Sequence, residues 1–197
     1  TKMHGCGNDY VYINCLEDKA DDPAELARRV SDRHFGIGSD GLILIKPSEV
    51  ADFKMDMYNA DGTQSEMCGN GIRCVGKYVY DYGLTDKTSV SIETLAGIKY
   101  LEFTFGDEEK NGRKTVELVR VNMGAPILAP EDVPVDLPDA VDIVQDYPIM
   151  VAGKEYRITC VSMGNPHCVS FVDDVDNFPL EEVGPLFENN PIFPRRV

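Results

Sequence analysis

The residue types that can do chemistry are grouped most tightly in EMCGNGIRCVGKYVYDYG, Glu66 to Gly83. Cys68 is followed by Gly69-Asn70-Gly71, then by Ile72, Val75 and Val79 at helical spacing, with Gly83 placed to stop the helix. This pattern puts Cys68 at or just before a helix N-terminus. Backbone N–H groups there lack partners, and the helix end carries roughly half a positive charge. A thiolate is favoured in such a place. Gly69 and Gly71 allow a ligand close to the backbone, and the same N–H groups can bind a carboxylate. One helix end can therefore activate a thiol and hold an anion beside it. The plain alternative is a buried cap cysteine that behaves as a small hydrophobe. Cys74 falls inside the helix and reads as core.

Three further motifs, GCGND, NADG and GNPH, place Asn8, Asn59 and Asn165 beside glycine or in a turn. Ordinary turn chemistry accounts for asparagine in such places. Its amide can equally bind the ammonium and carboxylate of an amino acid. His167 is either a strand residue with a satisfied ring or a group that orients a substrate amine or tunes a thiol. The six cysteines, Cys6, Cys15, Cys68, Cys74, Cys160 and Cys168, are dispersed and form no tight C-x2–4-C pair. Neither a disulfide framework nor a zinc site is expected, and metal is expected nowhere. GIGSDG at 36–41 matches G-x-G-x-x-G, but a helical pattern precedes it and a strand pattern follows. A dinucleotide site needs the reverse order, so no nucleotide cofactor is expected.

The elements that must position these groups are legible. DDPAELARRVSDR carries Asp22 as N-cap, Pro23 at the first helical position, Glu25 as the capping-box partner and Leu26 and Val30 as the core face. MHGCGNDYVYIN reads as a glycine-rich turn running into one strand, and LILIK as another strand. DFKMDMYNADGTQSEM alternates Phe53, Met55 and Met57 against Lys54, Asp56 and Tyr58 before turning at NADG. SVSIETLAGIKYLEFTF reads as two strands around Gly97, GDEEKNGRK as a polar turn, and TVELVRV as the next strand. Residues 124–148 are rich in proline and acid and read as a connector. Strands YRITCVS and HCVSFV and a helix in PLEEVGPLFEN follow.

The chain has 197 residues and a formal net charge of −15. That length allows one large domain or two small ones, and an acidic surface argues against nucleic acid or an anionic membrane as partner. No apolar run approaches the ~20 residues of a membrane span. The balance reads as a soluble cytoplasmic protein. One plan recurs. Gly7-Asn8, a strand and a Pro23-led helix in the first half correspond to Gly164-Asn165, a strand and a Pro179-led helix in the second. The Asn-to-Pro spacing is 15 residues in one copy and 14 in the other. Two copies of one supersecondary plan suggest two domains, 1–120 and 121–197, the second incomplete.

KMHGCGNDYVYIN, RHFGIGSDGLIL, YNADGTQSEMCGNGIRC and VSMGNPHCV together resemble the diaminopimelate epimerase family, in the family's order and over nearly the whole chain. The resemblance implies an α+β fold of two similar domains, each with a mixed or antiparallel sheet wrapped around a central helix. It implies cofactor-independent interconversion of LL- and meso-diaminopimelate, a small-molecule substrate, and a homodimer when full length. By position, Cys68 matches one of two catalytic cysteines and His167 the histidine near the reacting carbon. Asn8, Asn59, Gly69, Asn70 and Asn165 match substrate contacts. The second cysteine belongs to a later GAGET…CGTG segment that these 197 residues lack. They read as a first half-site plus part of a second domain, expected not to epimerise alone. The rival readings are a proline or hydroxyproline racemase of the same fold, against which Asn70 stands where those carry histidine, and a non-catalytic amino-acid-binding module.

Overall fold

A computed structural model describes residues 1–17, 19–110 and 112–197, Lys110 by its backbone alone. The first element is a hairpin in which β1 (Lys2–Gly5) pairs antiparallel with β2 (Asn8–Asn14). Its two turn residues, Cys6 and Gly7, have φ of 54° and 86°, the pair of positive angles that a type I′ turn requires. Sequence pattern expects only one strand here, because the short Lys2-Met3-His4 run has no apolar alternation to announce β1.

Helix α1 (Pro23–Ser31) starts as expected: the Asp22 carboxylate accepts from the Glu25 N–H at 3.1 Å. The reciprocal half of the capping box gives way to a pair between Glu25 and Arg28. The buried line is Ala27 and Ser31, with Leu26 and Val30 half-buried beside it. Next come β3 (Gly41–Lys46), β4 (Phe53–Asn59), the short β5 (Gln64–Ser65) and α2 (Gly69–Asp81). GIGSDG thus lies between α1 and β3, helix before and strand after, which is the wrong order for a dinucleotide loop.

Strands β6 (Ser89–Thr94), β7 (Gly97–Lys110) and β8 (Arg113–Asn122) complete a mixed sheet ordered β1-β2-β3-β4-β6-β7-β8, with β5 on β4. β2–β3 and β4–β6 are parallel, and the other pairs antiparallel. The expected polar turn GDEEKNGRK is mostly strand. β7 runs through it with register shifts after Thr104 and Phe105. Charged residues alternate well enough on a solvated ribbon to be paired; Asn111, in the same stretch, lies outside the described residues.

The sheet is buried on both faces. Tyr10, Tyr12, Ile43, Met55 and Met57 pack on one side with Ile72, Val75 and Val79 of α2, while Val11, Leu42 and Leu44 pack on the other with Ala27 of α1. α2 lies so close that a Cβ on Gly76 would meet Leu101 Cδ2 at 2.7 Å. It ends in a Schellman motif: Gly83, at φ 73°, donates to Tyr80 and Leu84 to Val79.

The chain divides into two units, Thr1–Met123 and Gly124–Val197. In the second, β9 (Tyr147–Val151), β10 (Lys154–Ser162) and β11 (Pro166–Val169) form an antiparallel sheet ordered β11-β10-β9, followed by α3 (Leu180–Glu188). β9 is additional to the sequence reading, and β11 is shorter than HCVSFV. The stretch read as a connector has no helix or strand up to β9 among the described residues. It nevertheless supplies Val133, Val135 and Val144 to the core around Ile158, Cys160 and Val183. Among the described residues no helix is long and apolar enough to cross a membrane.

Candidate active site

The first unit assembles its chemistry where β2 runs beneath the start of α2. Asn8, Tyr10 and Tyr12 share one face of β2 by the two-residue period of a strand. Cys68 is the N-cap of α2, in extended conformation, and its Sγ accepts from the Gly71 N–H at 3.2 Å. A cysteine sulfur thus takes the place a serine or aspartate oxygen usually holds. Gly71 is required by contact: a Cβ there would meet Ile43 Cδ1 at 2.7 Å and crowd the Cys68 sulfur.

The Cys68 thiol donates to Asn8 Oδ1 at 3.2 Å. Asn8 is oriented in turn, its Nδ2 donating to Asp40 Oδ2 at 2.8 Å. Arg33 bridges Asp40 and Asp9, with nitrogen–oxygen distances of 2.9 Å to each. Lys2 adds a second cation at 2.9 Å from Asp9. The Arg33 hydrogen bond, then that of Lys2, hold the Asp9 carboxyl well below the usual carboxylate range. A chain of oriented groups therefore runs from Arg33 through Asp40 and Asn8 to the sulfur. Tyr10 closes the site from below. Burial first, then the neighbouring Cys68, push its hydroxyl up to about 12, so it stays a neutral donor. Tyr12 donates to the Gly71 carbonyl at 3.3 Å, pinning the first turn of α2 from beneath.

Of the residues singled out by sequence, Cys68, Gly69, Asn70 and Asn8 come together here, all half-buried. The Asn70 Oδ1 accepts from Arg73, which also reaches Cys6 Sγ at 3.8 Å. Asn59 closes its own turn, its Nδ2 donating to Thr63 Oγ1 at 3.0 Å, and its backbone pairs with Gly41 next to Asp40. Asn165 and His167 belong to the second unit, in the β10–β11 turn and on β11. Asn165 is half-buried and His167 is exposed. Burial pushes the Cys74 thiol up, in keeping with a core role.

Sequence reasoning missed Tyr10, Asp40 and Arg33. The signal for Tyr10 was available, because it stands two residues from Asn8 on one strand and so shares its face. Asp40 and Arg33 lie in a loop with no periodicity to aim their side chains. Among the described residues no group of His, Cys, Asp and Glu is arranged to hold a metal ion.

Known proteins share this sequence and this fold. The family profile described as diaminopimelate epimerase matches residues 1–129. The chain is 57% identical over 197 residues to the diaminopimelate epimerase of Acetivibrio thermocellus, and 61% identical over 202 residues to that of Agathobacter rectalis. All of the chain is covered in both matches, against 68% and 69% of those relatives. Among solved structures, a hydroxyproline epimerase from Agrobacterium vitis matches with TM-score 0.59 and a probable proline racemase from Agrobacterium radiobacter with 0.60. Each is 16% identical and covers 86% of this chain, which spans 50% of either, so these two speak to the fold alone. The α+β fold is thus shared with racemases and epimerases. The family profile and identity along the whole chain agree, and the chain belongs to the diaminopimelate epimerase family.

Proposed function

We propose that Cys68 is one of the two thiol acid/bases of a cofactor-independent epimerisation of LL-diaminopimelate to the meso isomer. The observation that carries this reading is the position of the sulfur, held between the Gly71 N–H and the Asn8 amide oxygen at the N-cap of α2. Inversion without a cofactor needs one thiolate to take the α-proton from one face and one thiol to return a proton to the other. The bond to Asn8 Oδ1 holds the Cys68 proton where the sulfur serves as the acid. When that proton leaves, the Gly71 N–H and the helix end face the new negative charge. The neighbouring N–H groups of Gly69 and Asn70 are suited to the substrate carboxylate, where charge builds up as the α-carbon loses its proton.

In this reading Asn8, Asn59, Asn70 and Asn165 hold the amino-acid groups and His167 stands near the reacting carbon. The second thiol comes from chain beyond these 197 residues, the full-length protein is a cytoplasmic homodimer, and its product feeds lysine and peptidoglycan synthesis. The reading is tested by incubating the 197-residue chain and a version extended to the length of its relatives with LL-diaminopimelate in D2O. The extended protein is expected to exchange the α-proton and form the meso isomer, and the 197-residue chain to form none. Cys68→Ser in the extended protein should lower the rate by about 10²–10⁴-fold. Full activity of Cys68→Ser, or turnover of trans-4-hydroxy-L-proline in preference to diaminopimelate, would sink the proposal.

A further inference from the structure

The second unit holds a pair of thiols that the epimerase chemistry does not use. Cys160 on β10 and Cys168 on β11 are direct register partners. The Cys160 N–H donates to the Val144 carbonyl at 2.9 Å, and the Ser162 N–H to that of Ile127, so both point away from β11. Pro166, opposite Ser162, has no N–H to offer. Cys160 and Cys168 therefore form a non-hydrogen-bonded pair, the kind whose Cα atoms lie ~4.5 Å apart with side chains close together. That separation falls within the ~4.4–6.8 Å window in which a disulfide closes without backbone movement.

The two sulfurs differ in setting. Cys160 is fully buried in the core, whereas Cys168 is half-buried and lines a cavity of about 420 Å³ with His167, Ser170, Phe178 and Phe187. The Ser170 Oγ, buried at the same cavity, has no hydrogen-bond partner among the described residues. The hydrogen bond from Cys160 favours the thiolate of Cys168 against the opposing effect of burial, and the same contact, with burial, pushes Cys160 up. One sulfur is thus placed to react first and the other to keep its proton until needed.

We infer that Cys160 and Cys168 form a redox-active dithiol site that takes a hydroperoxide, hydrogen peroxide in its simplest form, and closes into a cross-strand disulfide. The Cys168 thiolate attacks one peroxide oxygen and the O–O bond breaks. Hydroxide leaves, combines with the proton Cys168 gave up, and departs as water. Cys168 is then a sulfenic acid, whose hydroxyl Ser170 can bond. The Cys160 sulfur attacks Cys168, the S–O bond breaks, and the Cys160 proton leaves with the hydroxyl as a second water. Two thiols and one hydrogen peroxide give one disulfide and two waters. The product closes the turn that carries Asn165, and the inference does not depend on the reaction proposed for Cys68.

The test is mass spectrometry after brief exposure to hydrogen peroxide, alkylation under denaturing conditions and digestion with trypsin. Both cysteines fall on one tryptic peptide, Ile158–Arg195. The expected result is a peptide that has lost two hydrogens, carries no alkyl group and regains two alkylatable thiols after dithiothreitol, while alkylatable thiols in the whole chain fall from six to four. Cys160→Ala should leave Cys168 as a sulfenic acid trapped by dimedone, and Cys168→Ala should leave Cys160 fully alkylatable. An Ile158–Arg195 peptide alkylated at both cysteines, a sulfinate on Cys168 with Cys160 still free, or a link from either to another cysteine would overturn the inference.

Discussion

The hairpin–helix segments β1–β2–α1 and β10–β11–α3 follow one order and differ in what encloses them. β2 lies between β1 and β3 with α2 over one face and α1 over the other, so Tyr10, Val11 and Tyr12 are all buried. β11 is an edge strand of a three-stranded sheet, and its residues alternate between half-buried and exposed. α1 begins with a side-chain cap from Asp22; α3 begins at Pro179 with none and carries Pro185 inside. One local plan sets the order of elements in both segments, while the neighbours that cover each strand differ. In the first unit the sulfur of Cys68 is aimed by a chain of bonded side chains. In the second, Cys168 lies open to a cavity.

The two units are alike in enclosure if α2 and α3 contribute equally to stability. Ile72 on α2 is 0% exposed and Val183 on α3 is 9% exposed. Ile72→Ala is expected to destabilise the first unit by about 2–5 kcal/mol, since the sheet on either side cannot collapse into the gap. Val183→Ala removes fewer methylenes from a smaller core, and a loss of about 1–2 kcal/mol is expected in the second unit. Urea unfolding followed by peptide-resolved hydrogen exchange separates the two. Equal losses, or loss spread across both units in each variant, would show that enclosure does not distinguish them.

Much of the fold was legible because periodicity and caps were strong. Ile72, Val75 and Val79 announced α2, Asp22-Pro23 announced α1, and Phe53, Met55 and Met57 chose a face of β4. Cys68 was legible because the same pattern fixed its place at a helix start. The rest was hidden for physical reasons. β1 and β9 are short and gain their pairing from the strand that follows each in sequence, not from their own composition. The acidic end of β7 has the composition of a turn and is held by pairing with β8. Asp40 and Arg33 act through a loop whose side-chain directions only the folded chain defines.

The helix starts differ on a smaller scale, with a side-chain cap on α1 and none on α3. Asp22→Ala removes the acceptor for the Glu25 N–H and should cost about 0.5–2 kcal/mol, with Asp22→Asn close to neutral. Faster exchange at the start of α1 alone would be the sign; an unchanged α1 would mean that packing of Ala27, not the cap, holds it. α3 offers no equivalent residue, because Pro179 makes no side-chain cap bond.

The smallest expected effect is acid sensitivity. The Arg33 and Lys2 hydrogen bonds lower the Asp9 carboxyl below its ordinary 3.8 in the folded chain. A depressed carboxylate favours the folded state above the unfolded pKa, and that contribution disappears as pH falls through the folded value. The first unit should therefore keep this contribution at neutral pH and lose it from about pH 4 downward. Arg33 is 56% exposed, so screening limits the contribution to roughly 0.2–1 kcal/mol. Asp9→Asn should flatten the acid limb of the first unit and leave the second unchanged, where the lowered carboxylate of Asp174 is bonded only to Asn177 and backbone at the surface. Unfolding midpoints between pH 2 and 7 check this. An acid limb that keeps its slope in Asp9→Asn would mean that the Arg33 bridge orients Asp40 and Asn8 without adding to stability, which would leave it a purely positional part of the Cys68 site.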